Sequence, residues 1–335
     1  MRNNVKFNEK YTINYEDENN IAMPNELFTT LLDWKDNKQI KANHIPFTYA
    51  YLYYHTYLYR FVKYDIHVPS TSDIKVDLGY AKNYKPIDYI IKKDGLLDSE
   101  GITISTSDFP VIQEWKDENG MMYERVKIST LSSLNDEYHN FVHDWKKERN
   151  INLKQTIKYP VFAFFRDVTT YDESVVYEDS LYDGTFYFAE NTTIIDIRVF
   201  EFCMNNKDLG VNGFYLYAYL KNQNYKYNDD FKATRIRMAK ETGMSERTVQ
   251  TYMNALREHN LVKAIYNMEC FSLAIKDDRI PNTYVVNEHA EFSIEKVVYG
   301  KQVFITRKEH EEKYKEEIKV KESYKCDIAL TFLPF

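Results

Sequence analysis

Residues 234–262, TRIRMAKETGMSERTVQTYMNALREHNLV, restrict what this chain can fold into more tightly than any other stretch. They read as two helices separated by a glycine. In the first, Ile236 and Ala239 are placed to face inward, and Gly243 supplies the turn that ends it. Ser245 is a good N-cap for the second helix, because its hydroxyl can accept a free backbone N–H. Beyond it Val249, Met253 and Leu256 recur at four and three residues, a spacing that buries one stripe of a helix. The opposite face presents Arg247, Thr248, Gln250, Thr251 and Asn254, with Arg257 near the end. Side chains of these types hydrogen-bond base edges and phosphates when a helix lies in a DNA major groove about 12 Å wide.

Charge tests that reading. The formal net charge is -7, so the surface as a whole does not attract a polyanion, and nucleic-acid affinity must come from local basic patches. Residues 232–263 carry such a patch: seven basic residues (Lys232, Arg235, Arg237, Lys240, Arg247, Arg257, Lys263) against three acidic ones (Glu241, Glu246, Glu258). The acidic excess lies elsewhere, notably in Asp167, Asp172, Glu173, Glu178, Asp179 and Asp183, a run with no Lys or Arg between them.

The run AKETGMSERTVQTYMNALREHNLV resembles the winged helix-turn-helix family of bacterial replication initiators and transcription regulators. That family's pattern is an Ala, a Gly turn, Ser-x-x-Thr-Val at the recognition helix and a Leu-Val stop before the wing. The resemblance covers residues 211–287. It implies a first wing strand at residues 263–266 and a second in RIPNTYVV, residues 279–286, with Lys276 and Arg279 in the wing loop. The DNA-binding residues it implies are Ser245, Arg247, Thr248, Gln250, Thr251, Asn254 and Arg257, with Lys263, Lys276 and Arg279 gripping the backbone.

The N-terminal half repeats the order. An almost wholly apolar and aromatic segment, residues 47–64, reads as a buried helix, although its tyrosines also suit a strand. A short helix over residues 72–78 ends at Gly79, a cationic helix spans residues 85–93, and a GLL stop precedes a strand in ITISTSDFPVIQEW. Ile74 then matches Ile236, and Ile91 with Leu96 matches Leu256 with Leu261. This copy offers Lys82, Asn83, Lys85, Tyr89 and Lys92 to DNA; a plain helical bundle is the alternative. Two such modules resemble the tandem arrangement of iteron-binding plasmid replication initiators, in which each module reads a half-site, with the two docked about one helical turn apart.

The expected fold is α+β: a winged helix-turn-helix in two tandem copies with a β-rich middle segment. Residues 1–20 read as a loose N-terminal arm and 21–118 as the N-terminal winged-helix-like domain. Residues 119–205 form the β-rich middle, including TIKYPVFAFF, GTFYFAEN and TTIIDIRVFEF. Residues 206–290 form the winged helix-turn-helix DNA-binding domain. Residues 291–335 close the chain with strands, among them HAEFSIEKVVY (289–299), and a charged helix whose Glu312 and Glu316 can pair with lysines a turn away. The 30 tyrosines and 20 phenylalanines imply a core built largely of rings.

Enzyme chemistry finds little support. GxxxxGK[ST] and GxGxxG are both lacking. His139 and His143 are four apart, near Glu137 and Asp144, but without HExxH order or a further ligand they read as a surface pair. A tyrosine nucleophile acting on DNA needs a metal-holding histidine cluster that the sequence lacks. The expectation is a binding protein with no catalytic residue, metal or cofactor. Cys203, Cys270 and Cys326 form no disulfide framework, and neither a signal peptide nor a membrane-spanning stretch is evident, so the expected location is the cytoplasm. Its expected partner is double-stranded DNA, with a second copy of the chain and host replication proteins as further candidates and no membrane. The function this implies is initiation of replication for a plasmid or mobile element; a transcription regulator and a protein-interaction scaffold are the alternatives.

Overall fold

The computed structural model describes residues 7–116, 125–133, 139–149, 151, 155–162, 191–272, 280–313 and 315. The acidic run from Asp167 to Asp183, GTFYFAEN up to Glu190, Lys276, Arg279, Glu316 and Cys326 lie outside the described residues.

The N-terminus is not a loose arm from residue 7 onward. Helix α1 (Phe7–Tyr11) buries Phe7 and Tyr11, Ile13 is buried just after it, and Lys10 pairs with Asp77 at 2.6 Å. Strand β1 (Asn20–Pro24) leads into α2 (Glu26–Asp36), which buries Leu27, Phe28, Leu31 and Trp34. Helix α3 (Ile45–Arg60) has Pro46 in its first turn, where the missing N–H costs nothing, and every residue from Ile45 to Tyr59 is buried. Burial on all sides overrides the β preference of its tyrosines. Val62 then turns the chain at φ 52°.

Helix α4 (Thr71–Asp77) starts at a capping box: Ser70 accepts from the Asp73 N–H, and the Asp73 carboxylate accepts from Ser70 N–H. Gly79 follows at φ 82°. The cationic helix expected over residues 85–93 shrinks to the single turn α5 (Asp88–Ile91), with α6 (Leu96–Ser99) a second single turn. Pro86 disfavours the helical conformation at Lys85, and Asp94 at φ 56° closes the other side.

The strand expected in ITISTSDFPVIQEW is two: β2 (Thr103–Thr106) and β3 (Pro110–Lys116). Between them Asp108 donates its N–H to the Thr106 hydroxyl at 3.0 Å and accepts from Ser132 N–H at 2.8 Å. β3 pairs antiparallel with β4 (Arg125–Thr130); α7 (His139–Glu148) follows; and β5 (Ile157–Pro160) pairs antiparallel with β2. The stretch TTIIDIRVFEF is only half strand. β6 (Thr192–Asp196) stops where Asp196 accepts from Arg198 N–H as an N-cap, and α8 (Ile197–Asn205) begins, burying Ile197, Val199, Phe200 and Cys203.

β6 pairs antiparallel with β1, from Asn20↔Asp196 to Pro24↔Thr192, which joins the two halves of the chain. α9 (Gly210–Tyr227) packs on α3 beneath that pair, with Tyr53 and Phe214 ring centroids 4.9 Å apart and Tyr49 and Tyr215 5.4 Å apart. Buried tyrosines spend their hydroxyls on backbone carbonyls: Tyr53 on Ile195 at 2.9 Å, Tyr217 on Asn287 at 2.9 Å and Tyr215 on Thr242 at 3.2 Å. Burial raises all three pKa values, so they act as neutral donors.

After α9 come β7 (Lys232–Ala233), α10 (Arg235–Thr242), α11 (Glu246–Glu258), β8 (Val262–Ile265), β9 (Cys270–Ser272) and β10 (Asn282–Val286). β7, β10 and β8 form one antiparallel sheet in that order. Residues 289–299 hold no strand. They start with a 3₁₀ turn (His289–Glu291) and then lie along the end of α11, where Ser293 and Val297 donate their N–H groups to His259 and Glu258 carbonyls at 2.9 and 2.7 Å. β11 (Val303–Ile305) pairs in parallel with β9, and α12 (Arg307–Lys313) is the described part of the charged helix. Helices and small sheets are thus mixed in an α+β fold, and one buried cluster runs through it from Phe7 to Tyr284.

Candidate nucleic-acid interface

Helix α10 starts at Thr234, whose hydroxyl accepts from Arg237 N–H at 3.1 Å. It turns a different side inward from the one expected. Met238 and Thr242, four apart, are buried, Ala239 is half-buried, and Ile236 is 65% exposed. Two residues are about 200° of helix, so burying Met238 sends Ile236 outward. Arg237 is taken up in holding the helix: it binds Glu241 at 2.7 Å and sits 5.0 Å from the Phe231 ring centroid.

Gly243 ends α10 at φ 72°. A Cβ there would lie 2.7 Å from Ile45 Cδ1 and 3.0 Å from Leu32 Cδ2, so the turn between α10 and α11 sits directly on α2 and the start of α3. Ser245 caps α11 by accepting from Thr248 N–H at 3.1 Å, and its hydroxyl also bonds the Thr248 hydroxyl at 2.7 Å. Val249, Met253, Ala255 and Leu256 are buried, as the spacing requires. α9 supports this unit from behind. Asn212 donates to the Tyr252 hydroxyl at 2.9 Å, and Asn224 clamps β10 by donating to Tyr284 O at 2.6 Å and accepting from Val286 N–H at 2.7 Å.

The outward side of α11 carries Arg247, Gln250, Thr251 and Asn254, all exposed, with Thr248 half-buried at its edge. Arg247 and Asn254 have no side-chain partner among the described residues. Thr251 donates to the Arg247 carbonyl at 2.9 Å. Arg235, from the first turn of α10, donates to Gln250 Oε1.

Other expected site residues are differently placed. Arg257 is half-buried, 3.9 Å from the Tyr299 ring centroid, and donates to the Tyr266 hydroxyl and the Gly300 carbonyl, each at 2.9 Å. It fastens residues 299–300 to α11 and does not stand free beside Gln250. Lys263 is exposed and paired with Glu291 at 2.7 Å. Lys82, Asn83 and Lys85 lie on an exposed turn before α5, and exposed Lys92 follows its last residue, so the four do not share a helix face. His139 and His143 lie on α7, with their side chains outside those described.

Residues 205–319 match a family model described as Firmicute plasmid replication protein (RepL). The match takes in α9, α10, α11 and the β7–β10–β8 sheet, and leaves residues 1–204 outside it. No curated protein and no solved structure matches the chain. Over the matched residues, then, the chain is similar to plasmid replication proteins. No helix among the described residues is long and apolar enough to cross a membrane.

Sequence reasoning counted Arg235 in the basic patch but did not place it beside Gln250. It stands 15 positions from Gln250, and only the packing of α10 across α11 brings the two together.

Proposed function

We propose that this chain binds double-stranded DNA sequence-specifically and acts in plasmid replication, with α10 and α11 as a helix-turn-helix and β8 and β10 as the flanks of a wing. The observation that carries this reading is the side of α11 bearing Arg247, Gln250, Thr251 and Asn254. It is a row of polar, exposed side chains on a helix whose opposite side is fully buried, within the segment similar to plasmid replication proteins. A helix held this way enters a major groove as a rigid body, and its base-reading side chains need little ordering on contact. The three-stranded order β7–β10–β8 and the antiparallel β8–β10 pair favour a winged form. Lys276 and Arg279 would then meet phosphates from the wing, joined by Lys263, whose surface pair with Glu291 is weak enough to exchange.

Tandem modules are part of the proposal. The order β1, α2, α3, α4, Gly79, short helices, β2 and its antiparallel partner β5 parallels β6, α8, α9, α10, Gly243, α11, β8 and its partner β10. The first module's second helix is too short to present a reading face, so Lys82, Lys85 and Lys92 would contact phosphate only. The protein would work by positioning or bending DNA and recruiting replication proteins of the host, with no catalytic step of its own.

Selection of bound duplexes from a random pool by the purified protein, at two salt concentrations, tests this. An enriched motif with salt-sensitive affinity is the expected result. Weak binding without any motif, even at low salt, would overturn the proposal.

A further inference from the structure

The Arg235–Gln250 contact bears on which base the second of these residues can read. A free glutamine side chain suits adenine: its Oε1 accepts from the N6 amino group while its Nε2 donates to N7. Here Oε1 already faces a guanidinium. The orientation is unambiguous, because arginine has five N–H donors and no acceptor, so the amide atom turned to it must be the oxygen. Both side chains are exposed, and Arg235 makes no ion pair among the described residues. One of the two Oε1 lone pairs is therefore taken by the guanidinium, and what the pair chiefly offers the groove is donors: the two N–H bonds of Gln250 Nε2 and the N–H groups of Arg235 not spent on Oε1.

We propose that Arg235 is a positioning residue that fixes Gln250 as a hydrogen-bond donor, so that this position of the site selects guanine over adenine. The inference rests on the DNA-binding reading above. Guanine presents two acceptors, N7 and O6, on its major-groove edge, which these donors can satisfy together. Adenine presents one acceptor and one donor, and its N6 amino group would be left with the second Oε1 lone pair, beside a guanidinium whose positive charge repels the amino hydrogens. A neighbouring positive charge strengthens the same choice, since hydrogen bonds from or beside a charged donor to the guanine edge gain over neutral ones.

The test is duplex selection with the wild-type protein, Gln250→Ala and Arg235→Ala, each checked by thermal melting. The expected wild-type motif contains a guanine that Gln250→Ala relaxes. At that same position Arg235→Ala should move the preference toward adenine by about tenfold, because the released amide can then make the bidentate adenine pair. The inference is overturned if Arg235→Ala keeps the wild-type preference, if the base that Gln250→Ala relaxes is already adenine, or if no position responds to Gln250→Ala. A wild-type protein that binds no duplex in a salt-sensitive way overturns the DNA-binding reading itself, and this inference with it. Arg235 is exposed, so an unchanged melting temperature separates a change of preference from a loss of fold.

Discussion

Arginines 247 and 257 stand ten residues apart on one helix and are held in opposite ways. Arg247 projects free from the outward side of α11, whereas Arg257 lies under Tyr299 and donates to Tyr266 and Gly300. Replacing each by alanine should therefore separate reading from holding. Arg247→Ala should relax base preference at a cost of about 1–3 kcal/mol in specific binding, with the melting temperature unchanged. Arg257→Ala should cost stability, about 1–3 kcal/mol from the lost ring contact and hydrogen bonds, and leave base preference alone. Melting curves and binding titrations on the two variants check both. Weakened DNA binding by Arg257→Ala at unchanged stability would return that residue to the interface. Lys276→Ala, by contrast, should weaken binding to all duplexes equally; a loss confined to one base pair would contradict a phosphate contact.

Among the elements, the turn at Gly243 is the joint on which the candidate interface depends. Its left-handed φ suits glycine, and the space where a side chain would go is filled by Ile45 and Leu32. Gly243→Ala should cost about 1–2 kcal/mol for the backbone conformation, plus the displacement of those two side chains. The urea midpoint should fall accordingly, and an unchanged midpoint would mean that α10 and α11 can shift off α2 and α3 freely. The turn from α10 into α11 and the buried side of α11 were readable in the sequence because their signals are local: Gly243 for the turn, Ser245 for the cap, Val249, Met253 and Leu256 for the buried stripe. Features set by distant partners were not. Ile236 turns outward because Met238 and Thr242 take the inward side of α10, and residues 289–299 give up strand geometry to bond the end of α11. In TTIIDIRVFEF, Asp196 as a cap outweighs the apolar β-branched pattern around it. The second candidate reading helix fails for a local reason that the sequence did display, Pro86 directly after Lys85.

At the scale of the whole molecule, α3 and α9 share one aromatic core under the β1–β6 pair, so stability depends on groups buried far from the candidate interface. His55 is the most consequential of them. It is buried within α3, its Nδ1 shares a hydrogen bond with the Tyr64 hydroxyl at 2.9 Å, and its Nε2 has no hydrogen-bond partner among the described residues. Burial, with the charge of Lys158 nearby, lowers its pKa to about 3. Unfolding restores an ordinary histidine near 6.5, so between these values the unfolded chain binds more protons than the folded one. The resulting stability is fully present above about pH 6.5 and is lost as pH falls toward 3, by up to about 1.4 kcal/mol per pH unit. Asp98 adds a loss of the same sign at lower pH. Burial raises its pKa, but hydrogen bonds from Lys158, Thr103 and Ser105 outweigh that and hold it below the ordinary carboxylate value. Its contribution is present above its unfolded pKa and disappears as pH falls through the folded one. Urea unfolding at pH 7 and pH 5 should show a loss of ~2 kcal/mol attributable to His55 over that interval. His55→Gln, which keeps a partner for Tyr64 but cannot be protonated, should flatten the slope. Equal slopes in the two proteins would show that His55 does not stay neutral in the folded state, and that water reaches the centre of α3.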